Sequence, residues 1–124
     1  MSTLESLKKS FEFKNVFHNG RRYKAAHLGI YISAGKKRGV RVGLVVSKRV
    51  GNAVVRNKVK RRFREAMRTL SVINSSDMSL DIVLLAGTQT PLAAYKDIYN
   101  ELRGVLERHY AALQKQSVAE NRTR

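Results

Sequence analysis

The segment Ser47–Leu70, SKRVGNAVVRNKVKRRFREAMRTL, limits the possible folds more than any other stretch of the chain. It leaves an apolar run, turns at Gly51 and then carries the signature of a helix. At about 100° per residue, Val55, Val59, Phe63, Ala66, Met67 and Leu70 fall in one arc, which must lie on a sheet or a second helix. Asn57, Lys60, Arg61, Arg64 and Arg68 fall on the opposite arc, with Arg56 at its border and Lys58 and Arg62 flanking the other edge. Glu65 is the one acid within the helix. So many like charges on one surface repel one another, and a polyanion is the partner that relieves the repulsion.

The rest of the composition narrows the classes. A chain of 124 residues suits one domain with one core, with the ordered part expected over about 10–115 and frayed ends. The 25 Lys and Arg against 9 Asp and Glu give a net charge of +16, which favours nucleic acid as partner. The absence of cysteine excludes disulfides and thiolate metal sites and fits a reducing, cytoplasmic setting. No apolar run has the length of a signal peptide core or a membrane span, so no membrane partner is expected.

Along the chain, Ser10 is the expected N-cap of a short helix through His18, with Gly20 as its stop; Phe13, Val16 and Phe17 share one face. Arg21, Arg22 and Lys24 read as a basic connection. Ala26–Ala34 alternates as a strand, with Leu28, Ile30 and Ile32 on one side and His27, Gly29, Tyr31 and Ser33 on the other. A turn over residues 35–39 leads to a second strand, Val40–Lys48. So short a loop predicts antiparallel pairing of the two strands. The basic helix, capped by Asn52, is followed by a polar loop over Ser71–Ser79 and an apolar strand, Leu80–Ala86, covered on both faces. Pro91 breaks the chain before a last helix over Ala93–Gln114, and the tail Ser117–Arg124 is expected to be disordered. The order α-β-β-α-β-α, with room for an extra strand, gives an α/β sandwich of sheet and helices.

Protein catalysis finds little support. His18, His27 and His109 are isolated and lack metal-ligand spacing with carboxylates, and Asp97 with Glu101 reads as a solvated helix face. No phosphate-cradling loop or nucleophile elbow is present. Aromatic side chains on a sheet or a neighbouring helix suit single-stranded RNA, whose bases stack on rings. Phe13, Phe17 and Tyr31 are candidates. Core packing is the competing role for the two phenylalanines, while Tyr31 lies on the strand face opposite the aliphatic row. A basic helix without a helix-turn-helix partner gives no support to a DNA groove reader.

SKRVGNAVVRNKVKRRFRE, the preceding RVGLVVSK strand and the upstream F-x-x-V-F-x-x-G helix closely resemble the signature of the protein subunit of bacterial ribonuclease P. The likeness runs in order from about Phe11 to Tyr110. One position departs: Arg56-Asn57-Lys58 stands where the family usually has Arg-Asn-Arg, which keeps the charge but loses the bidentate fork. The resemblance implies a two-layer α/β sandwich like the second domain of a small-subunit ribosomal protein, with a left-handed βαβ crossover through the basic helix. Chain sterics alone favour the right-handed form.

The resemblance also implies a function. In this family the RNA subunit is the catalyst, using divalent metal, normally Mg²⁺, and the protein carries no catalytic residue. The protein binds that RNA and the 5′ leader of precursor tRNA and assists removal of the leader. Arg56, Asn57, Lys60, Arg61 and Arg64 match the motif that contacts the catalytic RNA, and Lys58 and Arg68 extend that surface. Phe13, Phe17 and Tyr31 match the aromatics of the leader cleft, and Lys48 and Arg49 would offer charge to leader phosphates. A metal site on the protein itself is left unassigned. The rival functions are a non-catalytic RNA-binding or ribosome-assembly protein of the same fold and a DNA-associated architectural protein.

Overall fold

The computed structural model describes residues 5–73 and 79–122. Five strands, β1 (Glu5–Ser6), β2 (Arg21–Lys24), β3 (Leu28–Ala34), β4 (Gly39–Val45) and β5 (Ser79–Ala86), form one sheet. Three helices, α1 (Ser10–Asn19), α2 (Ala53–Ile73) and α3 (Tyr95–Arg122), pack on it. Short 3₁₀ turns over Lys48–Val50 and Thr90–Leu92 lead into α2 and α3.

The sheet order is β1-β4-β5-β3-β2, which corrects the expected hairpin. β3 and β4 do not pair. β5 lies between them, antiparallel to β3 and parallel to β4, with Ile32 opposite Ile82 and Val42 opposite Ile82 on the other side. The reason lies in the strand sequences. Leu80–Leu84 is buried without interruption, and a strand with apolar side chains on both faces gains most at the centre of the sheet. The 35–39 segment therefore crosses the end of β5, where the Gly35 N–H donates to the Ser79 carbonyl at 2.8 Å.

Three further expectations change at the edges. Arg21–Lys24 is not a connection but an edge strand paired with β3, a place where exposed charges guard against sheet-to-sheet association. Residues 5–9 are tied down rather than frayed: β1 pairs with β4, and Leu7 is a core residue, while residues 1–4 lie outside the described residues. α2 runs on through Ile73 and α3 through Arg122, so residues 71–73 are helix rather than loop and the supposed disordered tail is helical to that point. Ser79, expected in the loop, opens β5; residues 74–78 lie outside the described residues, as do Thr123 and Arg124.

The large core lies between one sheet face and α2 with α3. Leu28, Ile30 and Ile32 of β3 and Leu80, Ile82 and Leu84 of β5 meet Val59, Phe63, Ala66, Met67 and Leu70 of α2. Ile98, Leu102, Val105 and Leu106 complete it from α3. The apolar arc of α2 thus goes where its periodicity requires, and the Asn52 side chain caps the helix by accepting from the Val55 N–H at 3.0 Å. The opposite sheet face carries a smaller cluster of Leu7, Val16 and Val83, with Phe13, Tyr31, Val45 and Leu85 packed against it beneath α1.

Candidate nucleic-acid interface

α2 turns its charged arc to solvent. Asn57, Lys58, Arg61, Arg64 and Arg68 are exposed, whereas Arg56 and Lys60 are half-buried at the borders. Glu65 sits within this surface with its carboxylate 3.6 Å from Arg68, one acid among many cations, so the face stays strongly cationic. Arg62 has a different job. Its Nη1 donates to the Ala93 carbonyl at 3.0 Å and ties α2 to the segment that opens α3. The Nε of Arg56 is buried without a hydrogen-bond partner.

The second surface lies on the other side of the sheet. Phe17 meets Tyr31 edge to face, with ring centroids 4.9 Å apart and planes at 89°. Phe13 lies over β4, where only a glycine lets it settle: a Cβ at Gly43 would stand 2.7 Å from Phe13 Cζ and 3.2 Å from Leu7 Cβ. Phe13 is half-buried and Phe17 is 38% exposed, so the two rings serve core and surface together. Beyond α1 the sheet floor continues through Val45, Leu85 and Gly29.

Cations edge this floor on two sides. Arg22 pairs with Tyr31 and Lys24 with Gly29 across the β2–β3 ladder, which puts both on the aromatic face. Lys48 and Arg49 are exposed in the 3₁₀ turn where β4 leaves the floor and α2 begins. The structure therefore gathers Phe13, Phe17 and Tyr31 in one shallow cleft. It sets Lys48 and Arg49 at one end and adds Arg22 and Lys24, which the sequence reading missed. The signal was present: a charge-aromatic-charge run, Arg22-Tyr23-Lys24, alternates in the manner of an edge strand.

What holds α1 over the cleft is a buried ion cluster. Arg41 Nε and Nη2 donate to both carboxylate oxygens of Asp81, at 2.9 and 2.7 Å, while Nη1 donates to Glu12 at 2.7 Å. Arg41 and Asp81 are buried within β4 and β5, and Glu12 stands at the third position of α1. Ser10 is the first residue of α1 and Lys9 the N-cap, in place of the expected Ser10 cap. A lysine side chain cannot accept a hydrogen bond, so capping falls to Glu12, whose carboxylate takes the Lys8 and Lys9 N–H groups at 3.1 and 3.0 Å. Those two bonds, then Arg41, hold the Glu12 carboxyl below its usual range, and the Asp81 carboxylate raises Arg41. A charged residue inside each apolar strand was the sequence signal, since buried charges require partners.

His27 and His109 have structural roles. His27 donates its backbone N–H to Glu101 and shares a 2.7 Å contact between Nδ1 and the same carboxylate. Glu101 is therefore a tether between the start of β3 and α3, not a solvated charge, and Asp97 caps α3 at the Ala94 N–H. His109 is buried against the Tyr23 hydroxyl at 2.9 Å, and His18 is exposed. Among the described residues no group of three or more His, Asp or Glu side chains is arranged to hold a metal ion, and the carboxylates of buried Asp81 and half-buried Glu12 are committed to Arg41. The described residues thus do not fit a Mg²⁺ site.

Comparison with known proteins gives a consistent picture. The family model described as Ribonuclease P matches residues 1–110. The ribonuclease P protein component of Clostridioides difficile is 36% identical over 104 residues, covering 84% of this chain and 90% of that protein. The solved RNase P protein of Staphylococcus aureus superposes with a TM-score of 0.73 at 30% identity, covering 86% of this chain and 96% of the other. That of Thermotoga maritima has the same fold, with a TM-score of 0.73 at 23% identity over 84% of this chain and 96% of its own.

Proposed function

The chain belongs to the ribonuclease P protein family, and from that premise we propose that its two surfaces hold two different RNAs. As a member it is the RNA-binding subunit of a tRNA-processing endoribonuclease, a ribonucleoprotein hydrolase whose other component is RNase P RNA. The finer assignment is our own. The exposed arc of α2, formed by Asn57, Lys58, Arg61, Arg64 and Arg68 with Arg56 and Lys60 at its borders, binds folded RNase P RNA by neutralising crowded phosphates. The aromatic cleft takes the single-stranded 5′ leader of precursor tRNA.

The observation that carries this division is the placement of Phe17 on Tyr31 beside Phe13, on the sheet face opposite α2 and bounded by cations. Rings offer stacking worth about 1–3 kcal/mol per base with little sequence preference, which suits an enzyme that accepts many leaders. Lys48 and Arg49, with Arg22 and Lys24 across the floor, hold the leader phosphates. Held extended, the leader fixes the substrate relative to the RNA subunit and so replaces a search among conformers by a bound geometry. The divalent metal, normally Mg²⁺, belongs to the RNA subunit in this reading, and the protein acts in a bacterial cytoplasm. No described helix is long and apolar enough to cross a membrane.

The test is cleavage of a precursor tRNA by a bacterial RNase P RNA at low Mg²⁺, with and without this protein. Stimulated cutting at the mature 5′ end is the expected result. A folded protein that leaves cleavage unchanged would refute the assignment.

A further inference from the structure

α1 lies across the sheet face that carries Tyr31, Val83 and Gly43. Beside it is a cavity of about 750 Å³ lined by Arg41 and Asp81 of the sheet and by Glu12 and Asn15 of α1. Lys8 and Lys9 enter it from before α1, and Lys36 and Lys37 from the segment between β3 and β4. Phe11 stands at its mouth with 63% of its surface exposed, and Lys9 Nζ lies 5.8 Å from the centre of its ring.

Three features of this cavity point to one class of ligand. First, two of the three acids that line the cavity are committed: Asp81 and Glu12 are bonded to Arg41, and Glu12 also accepts from the N–H groups of Lys8 and Lys9. The third, Glu5 of β1, is exposed, so four lysines outnumber one remaining carboxylate and call for an anion. Second, their separation between two chain segments on opposite sides of the cavity suits an anion with more than one charged group. Third, an exposed phenylalanine among lysines offers a flat apolar platform that no phosphate alone would use. We propose that this cavity is a second site for single-stranded RNA, with a base stacked on Phe11 and the flanking phosphates held by Lys8, Lys9, Lys36 and Lys37. The site is separate from the leader cleft and does not depend on that assignment.

The experiment is an NMR titration of the full chain with a pentaadenylate RNA, following backbone amides of residues 11, 15 and 36–39. Saturable shifts there are expected. Phe11→Ala should weaken that saturation roughly tenfold, the loss of one stacked base. A Lys36→Glu/Lys37→Glu double substitution should abolish it, and Tyr31→Ala should leave it in place. Phe11, Lys36 and Lys37 are exposed, so their variants keep the fold, and Tyr31, half-buried, is replaced by alanine only in protein whose fold is checked by its amide spectrum. The proposal is overturned if the shifts fail to saturate, if Phe11→Ala binds like wild type, or if Tyr31→Ala removes them. It is equally overturned if inorganic phosphate alone saturates the same amides with equal affinity, which would leave a plain anion site.

Discussion

Asp81→Asn tests whether the ion cluster is what holds α1 to the sheet. In the native protein the Asp81 and Arg41 side chains are 4% and 10% exposed and joined by two hydrogen bonds, with Glu12 on the remaining guanidinium nitrogen. An asparagine keeps the shape but sets an amide N–H₂ against a guanidinium N–H and removes one of two counter-charges. Breaking a buried pair from one side costs about 3–5 kcal/mol. Glu12 stays in place, so the low end, about 3 kcal/mol, is expected. With a urea slope of about 1.5 kcal/mol/M, the unfolding midpoint should fall by about 2 M. A domain with about 5–15 kcal/mol of stability survives that loss, so the variant can be assayed folded. Because Asp81 fixes the Arg41 that anchors Glu12 of α1, a less firmly held guanidinium loosens the cleft wall, and discrimination between precursor and mature tRNA should fall while assembly with the RNA subunit through α2 does not. Replacing both partners, Arg41→Met with Asp81→Leu, should recover much of the stability, since an apolar pair leaves no orphaned charge. A midpoint for Asp81→Asn equal to wild type would refute the anchoring role.

The other expectations are briefer. Arg61→Ala should weaken assembly with RNase P RNA and lower the slope of log affinity against log salt by about one, read from binding at several salt concentrations; an unchanged slope and affinity would remove Arg61 from the interface. Tyr31→Ala should selectively reduce affinity for precursor over mature tRNA, by about tenfold if one stacked base is lost, and unchanged discrimination would take Tyr31 out of the cleft. Burial, with the charge of Arg21 second, lowers the His109 pKa below its usual 6.5. The unfolded chain then binds the proton more readily, so this contribution is complete above 6.5 and lost as pH falls through the folded value. Urea midpoints measured across that window should drop on acidification, and His109→Gln should flatten the drop.

The helices and the large core were legible because each rests on a period. The arc Val59, Phe63, Ala66, Met67 and Leu70 is buried as a helical wheel requires, and Leu28, Ile30 and Ile32 go inside as strand alternation requires. Strand pairing was not legible, because a short loop favours a hairpin only when no better neighbour exists. β5, apolar on both faces, is the better neighbour for both β3 and β4. The two-residue β1 and the charged β2 carry too little apolar pattern to announce a strand; backbone pairing makes them. Of the candidate site, the cations of α2 and the ring of Tyr31 could be found by position. Arg41, Asp81 and Glu12 could not be joined in advance, because their meeting depends on the strand order.

The late position of β5 in the chain bears on how the protein comes into being during translation. Until Ser79–Ala86 is made, β3 and β4 have no shared neighbour, Arg41 has no Asp81, and the floor of the cleft is missing its middle. Pairing across so long a stretch of sequence forms late and slowly. At a synthesis rate of about 5–20 residues per second, the roughly 45 residues from the end of β3 to the start of β5 take about 2–9 s to emerge. In the last part of that interval, once Arg68 has been made, the basic segment Arg56–Arg68 exists without a finished sheet to lie on. The nascent chain is thus an indiscriminate polycation before it becomes a selective one, and the last strand added is the one that turns charge into recognition.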